Sequence, residues 1–266
     1  YDILKADANC TFTDSGNDLT IAQRTITPVD LKIQEKYCIK DLEPIFTQKI
    51  LTPGSGYSDV PGELRLMEIL IERVSKVIEL AVVRGEAGGA HSVASFNLFD
   101  GIIHTVENDI AALDIPVAQQ LTGALTATNI IASFRAMYDA LPIDNRLQTV
   151  EDGDWQIMCS PRAKDLYNRD YQSENGALPY NQAFNKDFLD TTGIEIVAYA
   201  GFQGDDTQAL LCRKSNWFMG VDLDGEETNL SLTQGTGSEQ DELFLSAKFK
   251  MGINNMFPDE MVTNNI

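Results

Sequence analysis

Histidine is nearly absent from this sequence: 266 residues include only His91 and His104. That scarcity excludes histidine-rich metal centres, because imidazole nitrogen is a principal ligand for zinc and its neighbours. Cysteine is scarce too. Cys10, Cys38, Cys159 and Cys212 stand too far apart for a zinc knuckle or a redox pair, and four in a chain of this length make no disulfide framework. Buried free thiols in a reducing compartment are the expectation. No serine sits in a G-x-S-x-G elbow, and no phosphate loop of the G-x-x-x-x-G-K-[ST] kind occurs. Gly54 with Gly56, and Gly235 with Gly237, lack the third glycine and following helix of a dinucleotide site. Basic residues are outnumbered, 20 Lys and Arg against 40 Asp and Glu, for a formal charge of −20. A surface this acidic repels phosphate backbones, which excludes a dedicated nucleic-acid reader. No apolar run approaches the roughly 20 residues that a bilayer-spanning helix needs, so no membrane contact is expected.

The acidic residues form no ligand pattern either. Asp222, Asp224 and Glu226 surround Gly225, but their spacing fails the calcium-loop pattern, which requires a later glycine and a distant glutamate. They read as a solvated turn, as does Asp205-Asp206. The two histidines read as structural or surface residues. No catalytic residue, metal ligand or cofactor is expected.

What is present is enough apolar material, 43% of residues, to bury a substantial core in one domain or two intimately joined ones. Asn9–Thr13 and Leu19–Ile21 are β-prone runs around the turn Asp14-Ser-Gly-Asn-Asp18, and alternation resumes through Thr25–Thr27 and at Val29, Leu31 and Ile33. This predicts a hairpin with a long second arm and little core of its own, which must pack on something else. A short helix limited by Pro44 is expected over about Cys38 to Gln48. The clearest element spans Gly62 to Arg84. Leu64, Met67, Leu70, Ile71, Val74, Val77, Ile78 and Ala81 recur in steps of three and four, between Pro61 and Gly85.

Phe96 to His104 leads into an expected irregular stretch. A helix is predicted from an N-cap at Thr126 to Leu141, where Pro142 ends it. Trp155–Cys159 reads as a buried strand, and Ser160-Pro161 opens a helix to about Tyr171. Strands are expected at Ile194–Tyr199, Gln208–Cys212, Trp217–Val221, Leu230–Leu232 and Leu243–Ile253. The mixture is α+β, without regular βαβ alternation.

This order of elements resembles the Hong Kong 97-type fold of tailed-bacteriophage major capsid proteins. Thr20–Leu31 is similar to the second arm of that family's extended loop, and Glu63–Arg84 with Gly85-Glu-Ala-Gly to its spine helix. Phe99–Ile103 is similar to the segment that follows, and Trp155–Arg162 to the strand-to-helix step of its axial domain. The resemblance implies an extended β-hairpin loop with the N-terminal segment at 1–36 and a peripheral domain at 37–114 with spine helix 62–84. It further implies an axial domain at 115–225 and return strands at 226–266. It also implies a shell subunit rather than an enzyme, partnered by copies of itself in hexamers and pentamers. Decoration and portal proteins, and packaged double-stranded DNA contacted without sequence preference, are further implied partners in a virion assembled in the bacterial cytoplasm. Asp14, Ser15, Gly16, Asn17, Arg24 and Thr25 would then contact neighbouring subunits. The family's N-terminal arm looks short or absent before Tyr1, and no side-chain crosslinking pair is identified. An encapsulin-type compartment resembles the same fold. An enzyme would instead need a pocket with convergent polar groups around His91, His104 or the acidic turns.

Overall fold

A computed structural model describes residues 23–38, 62–175, 188–189, 192–202, 207–222, 231–234 and 242–266. The runs at Asn9–Thr13 and Leu19–Ile21, the turn between them, the acidic turn Asp205-Asp206 and the acidic turn after Asp222 lie outside the described residues.

Val29–Cys38 forms strand β1, and its partner comes from near the opposite end of the chain. β1 pairs antiparallel with the long strand β8 (Glu242–Asn255), from Val29 opposite Met251 to Cys38 opposite Glu242. The coreless arm thus finds its core by laying Leu31 against a helix, which the alternation required but could not locate. Thr25–Thr27, read as part of the strand run, precede β1 and lie outside any strand. The helix expected from Cys38 is corrected at its first residue, because ladder pairing keeps Cys38 in β1; its remainder lies outside the described residues.

The 3.6-residue periodicity yields helix α1, Gly62–Arg84, with the bounds expected. Leu70 and Ala81 are buried, whereas Ile71 and Val77 are 41% and 42% exposed. The apolar stripe is therefore wider than the surface that covers it. Glu72 and Lys76 pair one turn apart at 2.7 Å on the solvent side.

The expected irregular stretch is instead a helix, α2 (Ile102–Ala111). Its buried face combines Ile102 and Val106 with Thr105 and Asp109, and those polar members obscure the apolar period. Strand β2 (Gln120–Leu121) leads to α3 (Ile130–Ala140), which starts later than predicted. Thr126 is not its cap. Asn129 holds that position and spends its side chain on the preceding turn, accepting from the Thr126 amide at 2.8 Å and donating to the Ala124 carbonyl at 2.9 Å. Past Pro142 a further helix forms, α4 (Ile143–Asp152), closed by Gly153 in the left-handed region at φ 59°.

β3 (Trp155–Cys159) and α5 (Pro161–Asn175) follow as predicted, with α5 running past Tyr171. The Ser160 hydroxyl accepts the Ala163 amide at 3.0 Å and so caps α5. Strands β4 (Glu195–Ala198), β5 (Ala209–Arg213), β6 (Trp217–Val221), β7 (Ser231–Gln234) and β9 (Val262–Asn264) complete the order.

Two sheets result. In the first, β8 has β1 along one edge and β6 and β7 along the other. The second runs β2-β9-β5-β3-β4. β3 is buried on both faces, which explains its unbroken apolar run. On one side Trp155 and Ile157 meet Phe134 and Met137 of α3 and Tyr167 of α5. On the other, Met158 packs with Leu210, Cys212, and Ile102 and Val106 of α2. A third cluster joins Leu31, Phe249 and Met251 of the first sheet to Ala81 of α1. Burying each such large side chain contributes about 1.5–3 kcal/mol.

Candidate functional site

Of the expected contact residues, Asp14, Ser15, Gly16 and Asn17 lie outside the described residues. Arg24 and Thr25 fall together at the root of β1, where the structure engages both within the chain. One Arg24 nitrogen contacts Asp109 at 2.9 Å and Asp114 at 2.7 Å, and the other donates to the Asn255 side-chain oxygen. Asn255, buried, donates in turn to Asp109. Asn254 donates to the Thr25 carbonyl at 2.9 Å. The following residues cross the outer face of the sheet at Gly220 and Gly252, which stand opposite each other on β6 and β8. A Cβ on Gly220 would come within 2.7 Å of the Ile26 Cγ2, so the missing side chains make the trough in which Ile26 lies. Sequence reading missed Asp109, Asp114, Asn254 and Asn255. Ninety and 231 residues separate Arg24 from Asp114 and Asn255, and no local pattern spans such distances.

Two apolar surfaces stay uncovered among the described residues. A groove of about 210 Å³ between α1 and β1 is lined by Leu31, Ile33, Val74, Val77, Ile78 and Leu98 among others. On β6 and after β8, Phe218, Met219, Met256 and Phe257 are all about half exposed. Side chains of this size on a short, uncharged edge strand are what a lone soluble domain avoids.

Both histidines border one depression of about 260 Å³ with Arg84, Glu86, Glu107 and Gln208. His91 faces Glu86 at 3.2 Å, and His104 lies between Asp100 at 3.7 Å and Glu107 at 3.4 Å. Each imidazole is thus matched with carboxylates and, among the described residues, faces no hydroxyl or thiol nucleophile across the depression. Among the described residues no group of three or more His, Cys, Asp or Glu could hold a metal ion.

Two of the perturbed groups belong to the core. Burial pushes the Cys159 and Cys212 thiols up to about 12, so both stay protonated at neutral pH. Burial also raises Tyr199 and Glu260, the latter despite Arg213 at 3.5 Å; the glutamate's desolvation outweighs its partner.

No protein-family description matches the chain, and no curated protein matches it. Solved structures do. A chain from the satellite phage P4 procapsid, which includes the size determination (Sid) protein, aligns with TM-score 0.59 at 12% identity, over 99% of this chain and 80% of that one. A chain from the capsid of the native GTA particle gives TM-score 0.58 at 9% identity, over 95% and 87%. A chain of the holo-SrpI encapsulin complex from Synechococcus elongatus PCC 7942 gives 0.52 at 12% identity, over 89% and 73%. The chain has the mixed helix-and-sheet fold of these phage-capsid and encapsulin structures.

Proposed function

We propose that this chain is a major capsid protein that assembles into the icosahedral shell around a tailed-phage double-stranded DNA genome. The observation that carries the reading is the extent of the structural likeness, nearly the whole chain against chains of closed particles. The apolar groove along α1 and the β6 side chains, uncovered among the described residues, support it, because assembly can supply such burial. The proposed role is structural, with no catalytic residue assigned.

In this reading residues 1–36 are the N-terminal segment and extended loop, 37–114 the peripheral domain, 115–225 the axial domain and 226–266 the return strands. β6 and β9 each pair in the other division's sheet, which stitches the two together. Asp14, Ser15, Gly16 and Asn17 are proposed to touch neighbouring copies. Arg24 and Thr25 support that contact from behind, by fixing where the segment leaves the sheet. Copies gather as hexamers and pentamers, portal and decoration proteins complete the shell, and packaged DNA is contacted through its backbone without sequence reading. Assembly takes place in the bacterial cytoplasm. A shell enclosing protein cargo is the second reading, favoured by the likeness to the encapsulin chain.

Light scattering and negative-stain microscopy of the purified protein test the proposal. Closed particles tens of nanometres across support a shell, and nuclease-protected DNA inside separates the virion from the cargo compartment. A protein that stays monomeric at all concentrations overturns both readings.

A further inference from the structure

Lys32 on β1 stands directly opposite Lys248 on β8. Their sequence neighbours Leu31 and Phe249 are buried toward α1, so the two lysines project from the other face of the sheet, and both are exposed. Like charges at one rung of a strand pair work against the fold. The neighbouring cations are engaged: Lys250 lies 3.3 Å from Asp222 and 3.8 Å from Asp30, and Lys36 lies 2.6 Å from Glu242. Among the described residues, neither Lys32 nor Lys248 has an ion pair. Both border a depression of about 440 Å³ on this face, together with Lys250, Asp30 and Asp222.

Lysine on an edge strand guards against unwanted pairing, which accounts for Lys32. It does not by itself account for Lys248, since β8 lies between β1 on one side and β6 and β7 on the other, although no described residue pairs with Lys248 on that second side. The chain carries twice as many acids as bases, so two copies meeting face to face would mostly oppose carboxylate to carboxylate. A pair of ammonium groups with no ion pair among the described residues is where the acids of another copy can approach with attraction instead. Phosphate would suit the same lysines, but it must approach through the field of a chain with net charge −20.

We propose that the Lys32–Lys248 rung is a docking point for carboxylate side chains of a second copy of this chain. The proposal rests on the shell reading and deepens it by naming one of the faces that join copies.

The test compares wild type with Lys32→Glu and with Lys32→Gln/Lys248→Gln. Lys32→Glu turns the like-charged rung into an attractive one, so the free subunit is expected to unfold at an equal or higher denaturant concentration. Assembly is expected to need about tenfold more protein in both variants, because interfacial charge contacts are lost. Carbodiimide coupling of particles built from mixed light and heavy-isotope copies is expected to join Lys32 or Lys248 to an Asp or Glu of the other isotope. Wild-type protein that never assembles overturns the shell reading, and this one with it. Particles that form equally well from the variants, with the wild-type lysines still open to acetylation, overturn this proposal alone. Normal assembly with weakened retention of duplex DNA also overturns it and assigns the lysines to phosphate.

Discussion

The amide of Gly101 donates to the carbonyl of Gly85 at 2.8 Å, so the end of α1 and the start of α2 touch backbone to backbone. A Cβ on Gly101 would lie 2.7 Å from the Gly85 nitrogen and from the Val82 oxygen; one on Gly85 would lie 2.4 Å from the Phe99 oxygen. These are main-chain atoms, which cannot rotate aside. Gly101→Ala is therefore expected to cost about 3 kcal/mol, at the large end for a single substitution. Denaturant unfolding of the unassembled subunit measures it, and a loss below about 0.5 kcal/mol would show that the crossing relaxes.

Arg24→Ala leaves Asp109 buried without its cation. Full burial of such a pair would make its breakage cost about 3–5 kcal/mol, but Arg24 is about a quarter exposed, so about 1–3 kcal/mol is expected. Replacing Asp109 by Asn in the same protein should recover part of the loss, because no unpaired charge then remains. Thermal unfolding of the single and double variants decides; strictly additive losses would contradict the pairing.

Cys159 and Cys212 are both fully buried and free, with thiols held at about 12. Neither should be alkylated by iodoacetamide at pH 8 while the subunit is folded, since the thiolate is the nucleophile. Cys38, partly exposed at the end of β1, should react first among these three. Mass spectrometry of labelled peptides reads the order, and denaturant should make all three react alike.

Glu260 gives a pH dependence with a definite sign. Burial raises its folded pKa above the unfolded one, with Arg213 opposing and Asp259 adding to the rise. The folded state thus holds the proton more tightly. The group's contribution to stability is complete below about pH 4, and it is lost as pH rises through the folded value. Glu260→Gln has no such titration. The difference in urea midpoint should move in the variant's favour between about pH 4 and neutrality; parallel curves would contradict the shift.

Elements with their own period were legible. α1 is stated by its apolar steps and closing glycine, and β3 by an unbroken apolar run. β6 and β8 follow from β-prone runs set between turn residues. The resemblance drawn from their order agreed with the fold of the phage-capsid and encapsulin structures. α2 was hidden because Thr105 and Asp109 occupy its buried face, and Asp109 is there for Arg24, far earlier in the chain.

The sequence by itself determined which segments with their own apolar period become helix or strand, the excess of acidic over basic residues and the lack of any closely spaced cysteine pair. All of these follow from residues close together in the chain or from composition. Only the tertiary structure decided which strand completes β1, and hence that Lys32 meets Lys248, Gly220 meets Gly252 and Arg24 meets Asn255. The reason is that register between distant strands is set by which faces can be buried together against α1, and no local pattern carries that information.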